Sequence, residues 1–189
     1  GVTFTAKLTG LEDGTEYQYQ ALAGNIPSAV VCSFTTEEAA QLPNSSFENW
    51  STDGKVLLIY DRNNEAMFWD SGNHGSAKVG VNVTTNSTDF YVKGTQSIKL
   101  SSTSVGLPPL YEKFAAGNLF AGEYLYTDGT DGVLGFGRDF FSRPKALHGY
   151  VRYISGKVDN GDKIAIGSQD QGIIYVALSD KEKETEPKT

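Results

Sequence analysis

The sequence predicts an all-β fold of the sandwich or jelly-roll kind. Three observations carry this. Short apolar or alternating runs recur between clusters of Gly, Asn and Asp, as strands separated by tight turns do. Glycine is 21 of 189 residues, aromatics are 12% and methionine occurs once, a composition that suits strands and turns better than helices. A helical period shows only weakly, over Pro109 to Ala116, and no tandem repeat is present.

The first 36 residues alternate as strands do. Val2, Phe4, Ala6 and Leu8 fall on one face, with Thr3, Thr5 and Lys7 on the other. Glu12-Asp13-Gly14-Thr15 signals a turn, after which Tyr17, Tyr19 and Ala21 alternate with Gln18, Gln20 and Leu22. Asn25-Ile26-Pro27-Ser28 breaks that run, and a third strand is expected from Val30 to Thr35. The stretch Leu8 to Tyr19 resembles the E–F corner of fibronectin type III domains, with Tyr17 in the place of the corner tyrosine. Such a sandwich needs about 100 residues. Three strands with one open side cannot bury a core unaided, so this segment is expected to pack on a following domain or to have left its other half elsewhere.

Glu37-Glu38-Ala39-Ala40-Gln41 reads as a linker. From Leu42 the pattern changes. Val56 to Tyr60 is a fully apolar strand, Ser97 to Ser101 and His148 to Tyr153 alternate, and Ile173 to Leu178 is a second buried strand. Asp180 to Thr189 is charged and cannot gain by burial, so it is expected to be a flexible tail. The expected organisation is therefore 1–36, immunoglobulin-like strands; 37–41, linker; 42–178, a jelly roll lacking its final strands; and 179–189, tail. The chain opens in what reads as mid-strand, as a piece of something longer would.

Charge and cysteine usage narrow the function. Lys+Arg is 16 and Asp+Glu 23, a net charge of −7, and no Lys/Arg run occurs, which argues against a nucleic-acid or anionic-membrane surface. A lone Cys32 rules out an internal disulfide, a CxxC pair and a thiolate zinc cluster. Its apolar surroundings, Ala29 to Phe34, suggest a buried structural thiol. No apolar stretch approaches the ~18–20 residues of a membrane span.

Several stretches together resemble one family: Leu42 to Trp50, Phe68 to Gly75, Gly94 to Leu100, Ala115 to Gly122, and Gly135 to Arg138 through Arg143-Pro144. The chain is similar here to the putative carbohydrate metabolism domain of secreted and surface proteins from gut bacteria. The resemblance implies a β jelly roll, often after an immunoglobulin-like domain, an extracellular or cell-surface location and a link to glycan use. It brings no catalytic residues.

The motifs of common enzyme classes are missing: there is no G-x-S-x-G, H-E-x-x-H, Walker loop or G-x-G-x-x-G. The imidazoles are His148, in an alternating run, and His74, in the polar loop Trp69-Asp70-Ser71-Gly72-Asn73-His74-Gly75. That loop reads either as a self-bonded turn or as a site. Sugar recognition needs aromatic faces to stack on a pyranose and planar polar groups to bond its hydroxyls. Trp50, Trp69, Tyr124 and Tyr126 could supply the first; Asp70, Asn73, His74, Asn118 and Arg138 could supply the second. The opposing reading makes the tryptophans core anchors. A glycosidase needs two carboxyls roughly 5–9.5 Å apart, for which Asp70, Glu123, Asp128 and Asp131 are the candidates. Asp128 and Asp131 could also hold a structural calcium, although their spacing departs from the EF-hand and an ordinary Asp-Gly turn is the favoured reading. No other cofactor is expected. Four N-x-[ST] triplets, at Asn44, Asn49, Asn82 and Asn86, are read as chance in a Ser/Thr-rich chain.

Three functions stay open. The first is a surface or secreted module that binds glycan without cutting it and partners other domains of its parent protein. The second is a glycoside hydrolase using two of those carboxylates. The third is a structural or adhesive spacer.

Overall fold

The computed structural model describes residues 3–107, 110–144, 146–159 and 164–180. Along them run β1 (Glu16–Tyr19), β2 (Leu22–Ala23), β3 (Ile26–Pro27), β4 (Cys32–Thr35), β5 (Ser51–Asp53), β6 (Val56–Leu58) and β7 (Trp69–Asp70). A four-residue helix, α1 (Asn73–Ser76), and a 3₁₀ turn, Ala77–Val79, follow. Then come β8 (Thr84–Ser87), β9 (Ser97–Leu100), β10 (Thr103–Leu107), β11 (Tyr111–Ala115), β12 (Phe120–Asp128) and β13 (Asp131–Phe136). All the named strand pairings are antiparallel: β13-β12-β7 form a three-stranded sheet, and β1-β4, β2-β3, β5-β6, β8-β9 and β10-β11 pair two by two. The protein is all-β, as its sequence predicts. These sheets are smaller than the two facing sheets of a jelly roll.

The chain divides into two compact units. One comprises the residues up to Leu42 with Phe140–Leu147; the other comprises Pro43–Asp139 with the residues from His148 on.

In the first unit, β1 and β4 pair from Glu16↔Thr35 to Tyr19↔Cys32. Tyr17 stacks on Phe34 at 5.8 Å between ring centroids. The Tyr17 hydroxyl accepts the backbone N–H of Glu12 at 2.8 Å, the upstream bond that defines a tyrosine corner. Thr36 closes the same turn: its Oγ1 accepts from Thr15 N–H at 2.8 Å and donates to Glu12 O at 2.6 Å. The strand expected over residues 2–8 is not formed from Thr3 onward, and Phe4 and Leu8 are exposed. Alternation marks a face that could be buried, but a strand also needs a neighbour for its N–H and C=O groups. Val30 and Val31 likewise precede the ladder and are exposed. Cys32 is half-buried rather than buried, and it holds the phenol of Tyr19, its cross-strand partner, above its ordinary pKa.

The core of the second unit holds Leu58, Ile59, Ala77, Val83 and Phe120. The apolar run expected from Val56 supplies two of them, through β6 and the residue after it. The Ser97 strand forms as β9 and pairs with β8 from Thr84↔Leu100 to Ser87↔Ser97. The weak helical period over Pro109 to Ala116 is overturned: Tyr111–Ala115 is β11, paired with β10. Tyr111 and Phe114 favour strand.

Two further runs expected as strands are unpaired. His148–Tyr153 and Ile173–Leu178 join no ladder among the described residues; Tyr150 is 84% exposed and Ile173 85%. Order nearby comes instead from the Lys157↔Gln169 bridge, with Val158 N–H on Ser168 O at 2.9 Å. The charged tail expected at the end lies, beyond Asp180, outside the described residues. Among the described residues no helix is long and apolar enough to cross a membrane.

Candidate functional site

Trp69 and Asp70 form β7, paired with Ala121 and Phe120 of β12. The polar loop expected after Trp69 winds instead into α1, with Gly75 and Ser76 N–H both on Gly72 O at 3.1 Å. Asp70 is 5% exposed and lies at the centre of this turn. Its Oδ1 accepts Ser71 N–H at 2.8 Å and lies 3.1 Å from His74 Nε2; its Oδ2 accepts Tyr124 N–H at 2.7 Å. His74 stacks on Tyr124 with ring centroids 5.3 Å apart. The Tyr124 hydroxyl bonds Thr127 Oγ1 at 2.7 Å, which also accepts from Lys78 Nζ at 2.8 Å. Tyr124 fills its niche: a Cβ on Gly132 would lie 2.8 Å from its ring.

The two candidate amides are equally committed. Asn73 is 0% exposed. Its Nδ2 donates to Leu57 O at 2.9 Å and Thr84 O at 2.7 Å, and its Oδ1 accepts Thr84 N–H at 3.0 Å. Asn118 Oδ1 accepts Gly72 N–H at 2.7 Å, and its backbone O accepts the Thr84 hydroxyl at 2.6 Å. Asp70, Asn73, His74, Asn118 and Tyr124 are thus brought together, as a polar hub that ties β6, β8, α1 and β12.

The other candidates lie apart from that hub. Arg138 donates through Nη2 to Gly122 O at 2.6 Å and stands 3.9 Å from Glu123 Oε2, while its Nε is buried with no hydrogen-bond partner among the described residues. Asp128 and Asp131 face each other where β12 turns into β13. Asp131 is paired with Lys113 Nζ, which also donates to Thr130 Oγ1 at 2.6 Å. Asp128 and Asp131 flank the two-residue turn between β12 and β13, with Lys113 beside Asp131; among the described residues no group of three or more His, Cys, Asp and Glu is placed to hold a metal ion. Tyr126 and His148 are exposed, and Trp50 is half-buried with its Nε1–H on Phe47 O at 2.7 Å.

A cleft of about 310 Å³ opens on the other side of β7. Pro43, Asn44, Ile59, Tyr60, Glu65, Ala66, Phe68 and Trp69 line it. Trp69 is half-buried, with Phe68 edge-on at 4.9 Å and Phe47 at 5.8 Å. Its Nε1–H donates to Pro43 O at 2.7 Å, which fixes the indole plane. Asn44 anchors the rim: its Nδ2 donates to Asn49 O and Ile59 O, and its Oδ1 accepts Asn49 N–H. Asn44 and Phe47 both hold left-handed backbone, φ 43° and 56°, an uncommon state for a phenylalanine and one that places its ring against Trp69. Glu65 accepts Asp61 N–H through Oε2 at 2.9 Å and the Asn49 amide through Oε1.

Of the candidate site residues read from sequence, Trp69 alone lines this cleft; Tyr60, Glu65, Phe68 and Asn44 are not among those candidates. Their signal was the polar run Asp61-Arg62-Asn63-Asn64-Glu65 directly after a buried strand, a loop that returns a carboxylate beside the tryptophan.

The chain belongs to the putative carbohydrate metabolism domain family (PCMD), whose model matches residues 46–189. That description relates it to carbohydrate metabolism. No curated protein and no solved structure matches the chain.

Proposed function

We propose that this protein is an extracellular or cell-surface module that binds glycan in the cleft beside Trp69 without cutting it, in the service of polysaccharide use. The observation that carries the reading is the grouping of Trp69, Phe68 and Tyr60 around one cleft with a single carboxylate, Glu65. Ring faces held by packing suit the apolar face of a pyranose, and an oxygen acceptor at the rim suits its hydroxyls. Membership of a carbohydrate metabolism family supports the same class of ligand.

A binding role is favoured over hydrolysis by the disposition of the acids. Double-carboxylate hydrolysis needs a second acid across the cleft, and among the described residues Glu65 is the one acid lining it. Asp70 is bonded into the hub, and Glu123, Asp128 and Asp131 are not among the lining residues.

A glycan array probed with the full chain tests the proposal, with Trp69→Ala and Tyr60→Ala as controls whose folding is checked by circular dichroism. Binding to at least one glycan, lost in both variants, is expected. A folded protein that binds no glycan, or one whose binding survives both substitutions, would reject this site.

A further inference from the structure

We infer that the cleft selects uncharged or cationic glycans and turns away uronate and sulfated ones; this rests on reading the cleft as a glycan site. The Asn44 amide protons are held by Asn49 O and Ile59 O, and the Trp69 indole N–H by Pro43 O. Among the lining side chains that leaves the Tyr60 hydroxyl as the one donor with no hydrogen bond among the described residues. The acceptor side is richer. Glu65 presents a carboxylate that takes one bond at each oxygen and has lone pairs left for more.

A ligand in such a cleft must chiefly donate. Sugar hydroxyls and an amino-sugar ammonium can donate; a carboxylate or sulfate ester can only accept. Charge acts in the same direction. Among the described residues no Lys, Arg or His lines the cleft. The nearest cation in sequence, Arg62, is turned to Thr52 O and Asp53 Oδ1, at 3.2 and 2.9 Å. Asp61, at the start of the same turn, adds a second carboxylate whose oxygens are held by the Asn64 amide and Asn63 N–H, which keep its pKa below the ordinary value. A ligand anion a few ångströms from Glu65 is therefore repelled, with the Tyr60 hydroxyl as the one side-chain donor to offset it.

The test measures affinity by titration calorimetry for a neutral hexaose found on the array, for hexagalacturonate and for a chitosan hexamer, at about 20 mM and 300 mM salt. Hexagalacturonate is expected to bind roughly fivefold or more weakly than the neutral hexaose at low salt, with the gap narrowing at high salt as screening sets in. The chitosan hexamer should bind at least as well as the neutral one. Glu65→Gln should shrink the gap at low salt, and its melting curve reports whether the turn survives. Hexagalacturonate binding as tightly as the neutral hexaose, or a gap that ignores salt, overturns the selectivity while leaving the glycan site standing. Failure of every glycan to bind would instead remove the site itself.

Discussion

The Glu48 carboxylate occupies the space that a side chain on Gly94 would need. A Cβ built on Gly94 would lie 2.1 Å from Glu48 Oε1, and Gly94 holds φ 82°, the left-handed region that glycine adopts freely. From there Glu48 accepts Thr95 N–H at 3.0 Å and Gln96 N–H at 3.2 Å through Oε1, and the Thr95 hydroxyl at 2.7 Å through Oε2. Gly94→Ala should therefore destabilise twice over, by about 1–2 kcal/mol from the backbone alone and by displacing this clasp. Urea unfolding followed by tryptophan fluorescence checks it. Gly94→Ala that melts like the parent would show that the clasp is not formed.

The same clasp sets a pH dependence. The Thr95 hydroxyl, followed by the Thr95 N–H, holds the Glu48 carboxyl below its ordinary 4.5, and the Asn64 amide, followed by Asn63 N–H, holds Asp61 below 3.8. A carboxylate whose folded pKa is depressed contributes stability that is present above its unfolded pKa and lost as pH falls through the folded one. The melting midpoint should stay level from pH 7 to about 5 and fall progressively below about 4.5. Glu48→Gln should lower the plateau and flatten part of that fall. A midpoint that rises on acidification would contradict the assignment.

Asn73 should prove more costly to change than its loop-like sequence suggests. Asn73→Ala leaves Thr84 N–H, Leu57 O and Thr84 O buried without their partner, a loss of about 2–4 kcal/mol. Asn73→Asp keeps the acceptor for Thr84 N–H but sets a carboxylate against two carbonyl oxygens. It should be at least as damaging at neutral pH. Hydrogen exchange at Thr84 gives the local readout: protection should fall in both variants before global unfolding.

Much of this was legible in the chain. Class, the Tyr17 corner, the strands at Val56 and Ser97 and the family all follow from patterns within a few residues of one another. The hub did not, because a polar side chain aimed at a ligand and one aimed at a distant backbone are the same letter. Asp70, Asn73 and Asn118 looked like hydroxyl-binding groups, yet their partners include Tyr124, Thr84 and Gly72, up to 54 residues away. Glu65 escaped notice for the opposite reason: it sits in an ordinary turn, and only folding brings it beside Trp69. The runs at His148 and Ile173 read as strands because alternation and apolarity record side-chain preference, while pairing depends on an edge that the runs themselves do not encode.

Ile173-Ile174-Tyr175-Val176-Ala177-Leu178 is six residues of high β propensity, without charge or proline, and every one of them is exposed. Segments of this composition stack into cross-β ladders when left uncovered. Concentrated samples of the isolated chain should accordingly form thioflavin-positive material after a lag, and Ile174→Lys should lengthen that lag several-fold while leaving the melting midpoint unchanged. On that expectation the run would act as an adhesive strip that one gatekeeper charge masks.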